Sequence, residues 1–330
     1  MRKVINISFF VILLGSLSIW LTAQTKKPKP RRQPKPEPSI KGATQGFFLG
    51  KNLIFRLVIV IKHNHNQSTS IYTMTQNDIH FEMRGTVAVI RLSRPAKRNA
   101  LGDALILALR NLFETLPSET KAVVLHGEGD HFCAGLDLSE LKERDAGQGL
   151  MHSRMWHAAL ERVQYGPVPV VAALHGAVVG GGLELASACH IRVADDSTFY
   201  ALPEGSRGIF VGGGGSVRIP KLIGVARMTD MMLTGRVYNA TDGERIGLAQ
   251  YLAPRGQAFD KAFELAERIA QNAPLTNYAL MHALPRIAEQ PADQGFLTEA
   301  LMAAVAQSAP EAKSRVKAFL DGKAAKVKKD

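Results

Sequence analysis

The stretch "VPVVAALHG", residues 168–176, is apolar at every position from Val168 to Leu174. A strand with one wet face alternates apolar and polar residues, so an unbroken apolar run predicts a strand covered on both faces. "VAVIRL" (87–92), "AVVLHG" (122–127) and "HIRVAD" (190–195) read as further strands. Residues 99–116 read as a helix, with apolar residues at 101, 104, 105, 108, 109, 112 and 116 and Pro117 as its stop. After about residue 220 the pattern turns helical, over 221–234, 241–249, 258–272, 276–288, 293–307 and 310–320. The expectation is an α/β core followed by a helical C-terminal region, and a hydrophobic content of 46% suits a sizeable core.

A formal charge of +12 invites a nucleic-acid or membrane reading, but the charge is unevenly placed. Residues 1–73 hold 12 of the 41 Lys and Arg residues and one acid, Glu37, which leaves the remainder balanced to within one charge. No nucleic-acid partner is expected of so neutral a body. The extension opens with an uncharged run of 20 residues, Val4–Ala23, long enough for a membrane span or signal segment. A Pro/Lys stretch, "TKKPKPRRQPKPEP", follows and cannot build a core. Two readings stay open: residues 1–73 tether or export the protein, or the working chain starts at Met74. A cytoplasmic location is expected, with membrane anchoring if the extension is genuine.

Cys133 and Cys189 are the only cysteines and both sit in apolar surroundings, which suggests buried thiols in a reducing compartment. CxxC and HExxH are absent, and His152 and His157 stand five residues apart on different helix faces, so no metal site is expected. Phosphate-loop and dinucleotide glycine patterns are also missing. "EGSRG" (204–208) mimics a nucleophile elbow but has Glu where the first glycine belongs, which makes Ser206 a poor nucleophile candidate.

Three glycine-bearing loops remain. "GEGDHFCAGLDLSEL" (127–141) passes from a strand through Ala134 and Gly135, where it forms either a plain tight turn or a set of free N–H groups able to bind a polarised oxygen. "HGAVVGGGLELASA" (175–188) runs through Gly180, Gly181 and Gly182 into a helix beginning near Leu183. Glu184 in its first turn either compensates the helix dipole or faces a ligand. "FYALPEGSRGIFVGGGGS" (199–216) carries Glu204, which alone reads as a solvated loop acid or a catalytic one.

Taken together, "RPAKRNAL" (94–101), "FCAGLDL" (132–138), "VPVVAALHGAVVGGGLELASACHIRVA" (168–194) and "ALPEGSRGIFVGGGGSVRIPKLIG" (201–224) resemble the crotonase, or enoyl-CoA hydratase/isomerase, superfamily, and most closely its hydratases. "LTGRVYNATDGERIGLAQ" (233–250) fits the family's helical continuation. The resemblance implies a spiral of repeated ββα turns over 74–255 and a C-terminal helical region, 256–330, that joins subunits into trimers or hexamers.

It also implies a site for an acyl-CoA thioester. By position, the thioester oxygen would sit between the N–H groups of Ala134 and Gly181, where fixed donors stabilise the charge that develops on it. Glu184 and Glu204 would share one water, Glu184 activating it for attack at C3 and Glu204 protonating C2. Lys97, Arg98, Ala100, Gly135, Leu136, Asp137, Gly180, Pro203 and Gly208 fall at positions that hold the CoA thioester, although Lys97 and Arg98 could equally be solvated. No metal or redox cofactor is implied, since CoA arrives as part of the substrate.

Isomerases of the family generally keep one of the two acids, and dienoyl isomerases carry an Asp where this chain has Gly212. The resemblance therefore favours addition of water to a trans-2-enoyl-CoA, in fatty-acid or aromatic-acid breakdown. Isomerisation, thioester hydrolysis or carbon–carbon cleavage is the alternative. Arg207 and Val211 depart from the commoner hydratases. Met151, Met155, Trp156 and Leu160, in a helix over 151–164, either line the acyl pocket or pack the core.

Overall fold

The computed structural model describes residues 78–323 in full, together with the backbone of three strands before them. The apolar segment Val4–Ala23 and the Pro/Lys stretch lie outside the described residues. Strands β1 (Ala43–Leu49), β2 (Asn52–Ile61), β3 (Ser70–Gln76), β4 (Ile79–Arg84) and β5 (Val87–Leu92) form an antiparallel meander. Strand β3 runs through the boundary expected after residue 73, pairing Thr73 with Glu82 and Met74 with Phe81, so pairing begins before the change in composition.

Helix α1 (Asp103–Glu114), β6 (Ala122–Gly127), α2 (Ala146–Gln164) and β7 (Val170–Leu174) follow. From here each turn of chain gives one strand to a large sheet, one to a small sheet, and then a helix. Strands β7 and β8 (Ala177–Val179) precede α3 (Gly181–Ala188), and β9 (Ile191–Asp195) and β10 (Phe199–Ala201) precede α4 (Gly215–Ile223). Helix α5 (Val225–Thr234), β11 (Tyr238–Asn239), α6 (Ala240–Ile246) and β12 (Tyr251–Ala253) complete the core. The large sheet runs β1-β2-β3-β4-β5-β6-β7-β9-β12, parallel from β5 onward, and the small one runs β11-β10-β8. This is the spiral of ββα turns that the sequence implied.

Strand β7 is buried at all five positions, as the unbroken apolar run required. Val171 and Ala173 face α7 (Ala258–Ala270) and pack with Ala262, Leu265 and Ala266. Val170, Ala172 and Leu174 point to the other face, the principal core, with Leu105 and Leu109 of α1 and Leu183 and Leu185 of α3. Burying each of the Val and Leu side chains among them is worth about 1.5–3 kcal/mol. Two covered faces thus hold rigid the strand that delivers the chain to Gly180.

Several helix ends differ from the expectation for local reasons. The helix expected from Asn99 starts at Asp103, because Arg98 and Asn99 adopt left-handed φ of 51° and 56°. Asn99 is buried there, its Nδ2 donating to the carbonyls of Glu128 and His131 while its Oδ1 accepts from the Arg94 N–H. The helix expected over 221–234 is two helices broken at Gly224, whose φ is 81°. The one read over 151–164 begins five residues earlier, where Asp145 and Gln148 cap each other reciprocally. Beyond α7 come α8 (Pro274–Tyr278), a π-helical segment (Ala279–Ala283), α9 (Leu284–Ile287), α10 (Ala292–Ser308) and α11 (Pro310–Leu320). No helix among the described residues is long and apolar enough to cross a membrane.

Candidate active site

A cavity of about 450 Å³ opens between the loop after β6, the start of α3, the middle of α2 and the loop after β10. Of the residues picked out in the sequence, Ala134, Gly135, Leu136, Gly180, Gly181, Glu184 and Glu204 line it. Both glutamates are buried, at 4% and 6% exposure. Among the described residues, Lys97, Arg98, Ala100, Asp137, Pro203 and Gly208 are not part of its wall.

The three glycines do different work. Gly180 has φ of 51°, which a side chain adopts only under strain, and a methyl group there would stand 2.7 Å from Glu204 Oε1. Gly182 packs so closely on the Cys133 carbonyl that no side chain fits. Gly181 opens α3, where an N–H has no carbonyl four residues back to bond.

The loop after β6 corrects one assignment. The Ala134 N–H donates to the Arg98 carbonyl at 2.9 Å and so is already committed. The Gly135 N–H faces Cys133 Sγ at 3.5 Å, and the Asp137 N–H donates to the Leu101 carbonyl at 2.8 Å. Among the described residues the Leu136 N–H is the one in this run without an acceptor, and its nitrogen lies 3.5 Å from where a Gly181 Cβ would be. The free N–H beside Gly181 is therefore that of Leu136, two residues beyond Ala134, whose own N–H is taken by the Arg98 carbonyl.

The second glycine cluster holds Glu184. Its Oε1 accepts from the N–H groups of Gly213 and Gly215, each at 2.8 Å. Arg218 braces that loop by donating to the Gly213 carbonyl at 2.9 Å and to Gln164 at 2.6 Å, and Ser153 Oγ donates to the Gly212 carbonyl at 2.5 Å. Burial pushes the Glu184 carboxyl above its usual range, opposed by the N–H groups of Gly215 and Gly213 and by Arg218. Burial also raises Glu204, and the neighbouring Glu184 charge adds to the rise. Glu204 Oε2 is buried without a hydrogen-bond partner among the described residues. Sequence reading missed Gly213, Gly215 and Arg218; the run of four glycines was the available signal.

The Asp137 carboxylate accepts from Arg94 at 2.9 Å, Lys97 at 2.7 Å and Ser139 Oγ at 2.6 Å. Those bonds, Lys97 foremost, hold its carboxyl far below the usual range. Lys97 is thus tied down, whereas Arg98 is exposed. Pro203 accepts from Ser206 Oγ at 2.8 Å, which occupies the hydroxyl once weighed as a nucleophile, and Gly208 ends that turn with φ of 68°. In α2, Trp156 reaches the cavity, Leu160 is buried in the core with Met155 packed against it, and Met151 is exposed. The Trp156 indole and His152 both donate to Asp103, at 3.1 and 2.6 Å. Among the described residues no group of three or more metal-ligating side chains gathers.

The enoyl-CoA hydratase/isomerase family matches residues 82–329, a span that holds every element of this cavity. The chain belongs to that family. It is similar to a putative enoyl-CoA hydratase from Rhodopseudomonas palustris whose crystal structure is 62% identical, covers 74% of this chain and 95% of its own, and has a TM-score of 0.73. A 2,3-dehydroadipyl-CoA hydratase from Escherichia coli is 31% identical over 71% of this chain and 92% of its own. A short-chain-enoyl-CoA hydratase from Clostridium acetobutylicum is 30% identical over 75% and 96%. The chain is thus an enzyme-family member of crotonase type, and an acyl-CoA substrate is consistent with that membership. Its relatives' names differ in the acyl group.

Proposed function

We propose that the protein is an enoyl-CoA hydratase, adding water across the 2,3 double bond of a trans-2-enoyl-CoA. The observation that carries this reading is the unequal environment of two buried glutamates on one cavity. Glu184 is raised by burial but clasped by two N–H groups with Arg218 behind them, which oppose that rise and favour its carboxylate over that of Glu204. Glu204 has a bare, buried oxygen, which favours the neutral acid.

In this scheme the thioester oxygen sits between the Leu136 and Gly181 N–H groups. Water lies between the two carboxyl groups. Its oxygen bonds to C3 as its proton passes to Glu184, while Glu204 gives its proton to C2. Charge that builds on the thioester oxygen is met by the two fixed donors, each worth about 3–4 kcal/mol in such a setting. Transfer of the proton from Glu184 back to Glu204, directly or through solvent, restores both groups. The protons move among glutamates, water and substrate, so this scheme calls on neither metal nor redox cofactor.

Assembly into trimers or hexamers belongs to the same proposal. It is supported by exposed apolar side chains on the C-terminal helices, among them Phe296, Leu297 and Leu301 of α10 and Phe319 and Leu320 of α11. Cytoplasmic work suits the two cysteines, both free and buried, with thiols pushed up to about 12 by burial. Incubation with crotonyl-CoA and a panel of aliphatic and aromatic enoyl-CoAs, with products identified by mass, tests the activity. A 3-hydroxyacyl-CoA product supports hydration; a shifted double bond, free CoA or a cleaved carbon chain supports a different reaction.

A further inference from the structure

The cavity wall is cationic beyond what the two-glutamate chemistry uses. Arg207 ends the short turn after Glu204, Lys142 lies on the loop that follows Leu136, and both line the cavity. Arg144 also lines the cavity but is engaged by Asp103 at 3.5 Å, which His152 and Trp156 bond in turn. Among the described residues neither Lys142 nor Arg207 forms an ion pair within 4.0 Å or a side-chain hydrogen bond, although the Arg207 charge reaches the Glu204 carboxyl. Beside them, Leu138, Leu141, Ile209 and Phe210 line the same cavity and are exposed, Phe210 at 69%. Exposed apolar side chains beside two cations that have no ion-pair partner among the described residues, with Arg207 acting on Glu204 only at longer range, match a chain that is apolar along its length and anionic at its tip.

Resting on the hydratase reading for the thioester itself, we propose that the acyl group accepted by this cavity ends in a carboxylate, which Arg207 and Lys142 bind. Lys97 is tied to Asp137 and Ser139, and neither it nor Arg98 lines the cavity, so the cations first considered for the CoA phosphates are separate from these two.

The test compares six-carbon thioesters that differ only at the tip. Binding of the saturated hexanedioyl-CoA and hexanoyl-CoA is measured by calorimetry, and hydration of hex-2-enedioyl-CoA and hex-2-enoyl-CoA by kcat/KM. The wild type is expected to favour the carboxylate-tipped member of each pair by about tenfold or more, as one charge-assisted contact implies. In the Arg207→Gln, Lys142→Gln double variant that ratio is expected to fall to near one. Equal handling of both tips by the wild type would overturn the proposal. So would an equal loss on both tips in the variant, accompanied by weaker binding of free CoA, since the cations would then serve the cofactor portion or Glu204. The saturated pair binds without reacting, so a tip preference in binding with no hydration of either enoyl thioester would overturn the hydratase reading and uphold the carboxylate site.

Discussion

The Gly215 N–H points at Glu184 Oε1 from 2.8 Å, and a methyl group on Gly215 would stand 2.9 Å from that same oxygen and 2.8 Å from Glu184 Cγ. Both distances are too short for a side chain to coexist with the carboxylate as it stands. Gly215→Ala is therefore expected to displace Glu184 while leaving the core folded. Misplacement of a reacting group on the ångström scale costs about 100-fold. The expected outcome is a drop in kcat of that order with a thermal midpoint close to wild type. An Ala variant with full kcat would show that the glycine clasp does not position Glu184.

Glu204 should trade stability for activity. Its folded-state pKa is raised above 4.5 chiefly by burial, so the native state holds its proton longer than the unfolded chain does. Ionisation then costs folding energy, and stability falls as pH rises from about 4.5 through the raised value. Glu204→Gln removes that loss. It should raise the melting midpoint at pH 8, with no gain near pH 4. Hydration should drop by about 10²–10⁴-fold in the same variant. A lower midpoint at pH 8 would contradict the account.

Asp137 has the opposite sign. Lys97, Ser139 and Arg94 hold its carboxyl below the ordinary 3.8, so its contribution is present above that value and is lost as pH falls below it. Asp137→Asn leaves the Arg94 guanidinium, itself largely buried, without this partner. Arg94 keeps Asp78 at 3.0 Å and Glu140 at 3.6 Å, so the expected cost at pH 7 is about 1–2 kcal/mol, the range for losing hydrogen bonds between charged groups. Urea midpoints taken from pH 7 down to pH 2 should show the gap between variant and wild type closing in acid. A gap that stays constant would mean the loss is one of packing rather than charge.

The sequence made the skeleton of the site legible because its signals are local. An apolar run with no alternation marked β7, and glycine runs marked the turns that bring Glu184 and Glu204 to one cavity. The free N–H of this loop was misplaced by two residues because which N–H is left free depends on distant pairing. The bridges Leu101 to Leu136 and Cys133 to Val178, and the Arg98 carbonyl, decide it. No spacing rule within "FCAGLDL" contains that information. Similarly, "VGGGGS" gave no reading of its own, and its role as a clasp appears only once Glu184 is seen bonded to Gly213 and Gly215. Helix starts shifted where a side chain such as Asn99 claimed backbone groups from another loop.

The central claim is that Glu184 and Glu204 add one water to an enoyl thioester. Its most direct test is reaction of a trans-2-enoyl-CoA in water labelled with ¹⁸O, followed by mass analysis of the thioester. The account predicts a 3-hydroxyacyl-CoA carrying one ¹⁸O at C3, with its formation nearly abolished in both Glu184→Gln and Glu204→Gln. An unlabelled product with a moved double bond, or label appearing only in a released acid, would contradict it, as would full labelling by either variant.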